Sequence, residues 1–162
     1  MNLKKVLLLA VLLIAGYQFV QLDDVAPRQQ HDSTPAPTAG QRDGSRSVKT
    51  SRGVETLARA FESRQSNLQV EAQGIVEKVL PDDNQGSRHQ RFIVRVSDRQ
   101  TVLIAHNIDL ASRVPGLRAG DSIEFRGEYE WSSKGGVIHW THHDPQGRHT
   151  GGWLRHDGRE YR

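Results

Sequence analysis

Apolar and polar positions alternate along most of the chain beyond residue 66. The alternation is clear over 68–79, where Leu68, Val70 and Ala72 take every second place, and again over 91–96 and 122–131. Successive side chains of a strand point to opposite faces, so this pattern predicts half-buried strands. Two further apolar segments, 101–106 and 137–142, are bounded by turn residues and complete a set of five predicted strands.

A longer connector, 107–119, separates the third and fourth predicted strands and is interrupted by Pro115-Gly116. Five short strands with a connector in this place have the element order of an OB-fold. The predicted fold class is therefore mainly β, a small five-stranded OB-like barrel, and the alternative is a generic antiparallel meander. Val54, Leu57, Ala58 and Phe61 fall on one stripe at helical spacing, which predicts a short helix before the first strand.

The first 22 residues predict a signal anchor or a signal peptide. Lys4 and Lys5 precede a nearly unbroken apolar run over 6–20, which is typical of an export segment. The run is shorter than the roughly 20 residues of a full span, but it is not followed by a clear cleavage site, which favours an uncleaved anchor. The two lysines predict a single-pass orientation with the N-terminus in the cytoplasm. We therefore expect the inner membrane as a partner and the C-terminal domain in the periplasm, or secretion to the periplasm if the leader is cleaved.

Residues 23–53 are rich in Ser, Thr, Pro, Gly, Gln and charged residues. Such a composition buries too little apolar surface to offset its ordering entropy, so it predicts a disordered linker. The predicted domain is 54–162. This segment carries equal numbers of basic and acidic residues, although the whole chain has a net charge of +3. Proteins that track phosphates concentrate basic charge on the domain, so nucleic acid is disfavoured as a partner.

Five of the eight histidines lie between residues 139 and 156, and the chain has no cysteine. If 137–142 and the residues after it were extended, His139, Thr141 and His143 would share one face. Three interpretations stay open. The histidines bind a metal, they line a groove for an organic ligand, or they only attach the C-terminal tail to the domain.

The metal hypothesis involves zinc or another divalent transition metal, since neutral imidazole suits these ions. Its candidate ligands are His139, His142, His143, Asp144 and His149. A metal-dependent hydrolase would be an extension of this hypothesis, but H-E-x-x-H is absent from the chain.

The groove hypothesis predicts a binding module for a small ligand or an envelope protein rather than an enzyme. Its candidate residues are His89, His106, Asn107, His139, Trp140, His143 and Trp153. We identify no catalytic residues, because the sequence contains no G-x-S-x-G, P-loop or G-x-G-x-x-G. Single-stranded nucleic acid is a third and disfavoured ligand. Glu124, Arg126, Glu128 and Glu130 alternate on the fourth strand and are expected to form its solvated face.

Four sequence words carry a resemblance: HQRFIV (89–94), AHNIDLA (105–111), GEYEWSSKGGVIHWTHHDP (127–145) and HTGGWLRHDGREY (149–161). Together they resemble an uncharacterised bacterial domain family of unknown function found in exported or membrane-anchored proteins. The resemblance covers roughly 55–162 and implies no activity, cofactor or partner. It implies only that the following residues belong to the family signature: His89, His106, Asn107, His139, Trp140, His142, His143, Asp144, His149 and Trp153.

Overall fold

The computed structural model describes residues 43–162, with side chains from Thr50 onwards. The predicted leader and residues 23–42 of the predicted linker lie outside this range. The described residues form one helix and seven strands: α1 (Asp43–Glu62), β1 (Leu68–Asp83), β2 (His89–Ser97), β3 (Gln100–Asn107), β4 (Ser122–Glu130), β5 (Val137–His139), β6 (Trp153–His156) and β7 (Arg159–Tyr161). Within residues 43–162 no helix is both long and apolar enough to cross a membrane.

The strands pair in a closed order. β1 is long enough to pair with β4 over its first half and with β2 over its second half. β2 pairs with β3, β3 runs parallel to β5, and β5 is antiparallel to β4. The ring β1-β2-β3-β5-β4 therefore closes through the β1–β4 pairing, and β6 and β7 continue the sheet from β4. The prediction of a mainly β fold is confirmed.

Inward-facing apolar side chains fill the interior of the ring. In β4 the buried and half-buried positions alternate without a break, as the period of a strand requires. One face of α1 packs against the sheet and adds Leu57 and Ala60 to the same core. The largest fully buried apolar residues are Leu57, Phe92, Ile104, Ile123, Phe125, Tyr129, Ile138 and Leu154.

The helix begins at Asp43, well before Val54, the first residue of its apolar stripe. The stripe marks only the part of the helix that contacts the sheet, so the pattern placed the helix start too late. Gly53, which falls in the predicted linker, is buried within α1. A Cβ built on Gly53 would lie 1.9 Å from the carbonyl oxygen of Glu71 in β1. The helix therefore approaches β1 closely because this position has no side chain.

Three other predicted elements differ from the structure. β1 continues through 80–83, beyond the alternation over 68–79 that predicted it, and its pairing with β2 is irregular there. The tail beyond residue 150, which lies after the last of the five predicted strands, contains β6 and β7. β5 ends at His139 instead of His142, because Trp140 adopts a φ of 52°. The predicted shared face of His139, Thr141 and His143 is therefore wrong, since Thr141 is buried and His143 is exposed.

Replacing Gly53 with alanine should destabilise the protein, although alanine is the better helix former by about 1 kcal/mol. The added methyl would force α1 away from β1, and overpacking of this kind costs about 1–3 kcal/mol. Urea unfolding followed by tryptophan fluorescence measures the change. Glu55→Ala, an exposed substitution in the same helix, should shift the free energy of unfolding by less than about 0.5 kcal/mol. A Gly53→Ala protein more stable than wild type would contradict the close packing of α1.

Candidate metal centre

Two glutamates and a histidine converge on the outer face of the sheet. Glu128 and Glu130 lie on the face of β4 that points away from the core, and His139 lies directly opposite Glu128 on β5. His139 Nε2 is 3.8 Å from Glu128 Oε1 and 3.9 Å from Glu130 Oε1. One ligand atom from each of the three residues can be chosen so that all lie within 4.8 Å of one another.

Neither glutamate has a Lys or Arg partner within 4.0 Å among the described residues, although Arg126 lies on the same face of β4. Among the described residues, the ion-pair partners of Glu128 and Glu130 are histidines alone. Burial lowers the pKa of His139 to about 4 and outweighs the opposite effect of the nearby Glu128 carboxylate. The imidazole is therefore neutral at pH 7, and the two carboxylates leave the cluster with negative charge.

His139 also has an unsatisfied nitrogen. Its side chain is 25% exposed, but Nε2 itself is inaccessible to solvent and has no hydrogen-bond partner among the described residues. Buried polar atoms are nearly always hydrogen-bonded, so an exception calls for an explanation. Two acceptors, the glutamate carboxylates, lie 3.8 and 3.9 Å from it, too distant for a normal hydrogen bond.

These distances suit ligands of a common cation. Zinc binds imidazole nitrogen at about 2.0–2.1 Å and carboxylate oxygen at about 2.0–2.2 Å, so two ligand atoms of one ion lie at most about 4.3 Å apart. Both distances from His139 Nε2 to the glutamates are within that limit. Imidazole and carboxylate together suit zinc, iron, manganese and similar divalent ions.

A second histidine borders the cluster. His149 Nδ1 is 3.5 Å from Glu128 Oε2. The ring of His149 stacks on Trp140, with 3.8 Å between ring centroids and 14° between the planes. His149 and Trp140 belong to the segment 140–152 that joins β5 to β6. This segment therefore brings His149 to Glu128, the carboxylate that His139 of β5 also faces.

The other three predicted metal ligands have different surroundings. Asp144 accepts hydrogen bonds from the backbone N–H groups of Gln146, Arg148 and His149, and these bonds lower the pKa of its carboxyl. His142 Nδ1 lies 2.7 Å from the backbone oxygen of His143, while the side chain of His143 is exposed. The converging cluster within residues 43–162 includes none of the three.

The candidate groove residues are engaged in contacts of their own. His106 is fully buried between the Thr141 hydroxyl at 2.8 Å and the Ser112 carbonyl at 3.1 Å. Asn107 pairs with His89 across β2 and β3 and accepts a hydrogen bond from the backbone of Asp109. Trp153 is buried beneath the guanidinium of Arg155. Of this set, His139 belongs to the acidic cluster, Trp140 contacts its ring, and His89 lies near enough to act on it electrostatically.

Sequence reasoning missed Glu128 and Glu130, which it assigned to a solvated strand face. They do lie on the outer face, but both are only half-buried and they meet a histidine instead of solvent alone. The available signal was the spacing of two acids in alternate positions shortly before the histidine-rich segment. The two acids and the histidine come together only because β4 pairs with β5 in a register that places Glu128 opposite His139.

Acidification should destabilise the protein through His106. Its pKa in the folded state is lowered to about 4, mainly by burial, against about 6.5 when unfolded. The unfolded state therefore binds the proton more readily, so stability falls as the pH drops from about 6.5 to about 4, by roughly 3 kcal/mol from this group. In urea unfolding at several pH values, the free energy of unfolding of His106→Gln should fall less steeply with decreasing pH than that of the wild type. The exposed His143→Gln should retain the wild-type slope, and equal slopes in all three proteins would contradict this account.

Comparison with known proteins gives a family and no activity. No curated protein matches the chain. A family described as a protein of unknown function (DUF3465) matches residues 45–162. The match begins within α1, so it includes residues 45–53 of the helix, which the sequence pattern had assigned to a linker, together with every residue of the cluster. The chain belongs to this family of unknown function, DUF3465.

Proposed function

We propose that the domain is an OB-like barrel that binds one divalent transition-metal ion, such as zinc, through Glu128, Glu130 and His139. The barrel assignment is supported by the closed order β1-β2-β3-β5-β4 and by the parallel pairing of β3 with β5. The helix that OB-folds commonly place between the third and fourth strands is replaced here by the connector 108–121. The binding site lies on the outer face of β4 and β5.

The observation that carries the proposal is the buried Nε2 of His139, unpartnered within residues 43–162 and facing two carboxylates. A buried nitrogen without a partner costs roughly 1–3 kcal/mol. Two nearby carboxylates without a basic partner add repulsion. A divalent cation would remove both costs, because it accepts the nitrogen lone pair and balances the two negative charges.

A groove for an organic ligand is less well supported. Such a groove requires aromatic faces open to a ligand and polar groups left unsatisfied. The rings of Trp140 and Trp153 are covered by His149 and Arg155, and both nitrogens of His106 have partners. Trp131 donates its indole N–H to the carbonyl of Phe61 and lies beneath Arg64.

The location of the metal site follows from the sequence of the leader. Lys4, Lys5 and the apolar run 6–20 support a domain held at the periplasmic face of the inner membrane, or released into the periplasm after cleavage. The proposed function is thus metal binding in the cell envelope. The absence of cysteine means that oxygen and imidazole ligands carry the binding, which needs no reduced thiol.

Purified without a histidine tag, the protein should bind one equivalent of zinc or cobalt in isothermal titration calorimetry. Glu130→Gln and His139→Ala each remove one of three ligands, so each should weaken binding at least about 100-fold. Glu124→Gln is the matched control, because Glu124 lies on the same face of β4 but pairs with Arg155. It should bind metal as the wild type does.

Metal should also stabilise the folded protein by mass action. At a free metal concentration of 100 times Kd, the gain in free energy of unfolding is about 2.7 kcal/mol. Thermal unfolding of each variant without metal shows whether it is folded. A folded wild-type protein that binds no zinc, cobalt, manganese, iron, nickel or copper would rule out the proposal.

A further inference from the structure

We infer that the segment 140–152 supplies His149 as a fourth ligand and that Asp144 is the residue that positions it. This inference rests on the proposed metal centre at Glu128, Glu130 and His139. It adds a closing loop to a site whose other ligands lie on strands, and it gives Asp144 a role other than ligation.

The position of His149 supports its role as a ligand. Its Nδ1 faces Glu128 Oε2 at 3.5 Å, on the carboxylate whose other oxygen faces His139. The stack on Trp140 covers one side of the imidazole ring. The ring is thus held between an indole and a ligand carboxylate. His149 is not among the three described residues whose ligand atoms lie within 4.8 Å of one another, so its Nδ1 would have to move towards an ion shared with Glu128.

The backbone that carries His149 is fixed by Asp144. Asp144 is buried, and its two carboxylate oxygens accept three backbone N–H groups at 2.9, 2.7 and 2.9 Å, the last being that of His149 itself. Its carbonyl oxygen accepts a fourth hydrogen bond, from the N–H of Gly147. One side chain therefore closes the turn 144–149 and sets where His149 leaves it.

The two ends of the segment are also fixed. Trp140 has a φ of 52°, which turns the chain out of β5 directly after the ligand His139. At the other end, the N–H of Gly152 donates to the carbonyl of His142, and a Cβ on Gly152 would lie 2.3 Å from the carbonyl oxygen of Trp140. Only glycine permits this contact between the ends, so the segment forms a closed loop across the cluster.

The fourth ligand determines what kind of site this is. Three protein ligands leave a position for water, as in catalytic zinc sites, whereas four close the coordination shell, as in structural sites. Two carboxylates and two imidazoles make a closed set for a tetrahedral ion. The geometry therefore indicates a structural site, in which four protein ligands hold the ion and the loop 140–152 retains it.

The test is a double-mutant cycle on zinc affinity, measured by competition with a chelator. His149→Ala and Asp144→Asn should each weaken affinity about 10- to 100-fold. Asparagine keeps the size of Asp144 but has one acceptor oxygen in place of two, so it cannot hold all three N–H groups. The double variant should be no weaker than His149→Ala alone, because both changes remove the same ligand. His143→Ala, an exposed neighbour of Asp144, should retain wild-type affinity.

The visible spectrum of the cobalt-loaded protein distinguishes positioning from a general effect on stability. His149→Ala and Asp144→Asn should produce the same change in the cobalt absorption bands, since the first removes the His149 imidazole and the second displaces it from the ion. Unchanged affinity and spectrum in both, with binding still lost in Glu130→Gln, would overturn this inference and leave the three-ligand centre intact. Additive losses in the double variant would also overturn it. A wild-type protein that binds no metal would refute both proposals.

Discussion

The structure depends on β4 being hydrogen-bonded along both edges. One edge pairs with β1 from Leu68↔Tyr129 to Ile75↔Ser122, and the other pairs with β6 and then β5. A slip of one residue would exchange the two faces of the strand, sending Glu128 and Glu130 into the core and Phe125 outwards. Such a slip would disrupt three pairings at once. The same constraint therefore closes the core and holds the two glutamates at one place on the surface.

Gly127 shows how closely the core and the cluster are coupled. A Cβ on this residue would lie 2.4 Å from the carbonyl oxygen of His139 and 2.9 Å from a side-chain carbon of Thr141. The chain can therefore leave β5 across β4 only because position 127 has no side chain. Thr141, brought in by this route, then meets His106 in the interior. Gly127 thus allows both the buried contact between Thr141 and His106 and the approach of His139 to Glu128.

The sequence pattern predicted the five principal strands because each has one buried face, which produces alternation. It could not predict where β5 ends, since the turn at Trp140 depends on a backbone conformation that aromatic residues rarely adopt. It missed β6 and β7, whose few residues are too short for a period. Of the cluster, the sequence indicated the histidines, because five of them lie close together near the C-terminus. It did not indicate Glu128, because the contact of this residue with His139 depends on the register of β4 with β5. The loop 131–136 between these strands is not a two-residue hairpin turn, so its sequence does not specify that register.

A natural protein breaks the rules of packing and polar satisfaction mainly where function requires it. Among the described residues two buried side-chain atoms lack a partner, Gln100 Oε1 and His139 Nε2. Other buried polar side chains are paired: Gln90 bonds both backbone groups of Val114, and His156 meets Asp121. Of the two atoms without a partner, His139 Nε2 has two carboxylates within 3.9 Å. Protonation of His139 would repair the site as an ion pair, but burial lowers its pKa to about 4, so near neutral pH a proton does not fill this role. The proposed metal ion would be the cation that satisfies the nitrogen and both carboxylates together.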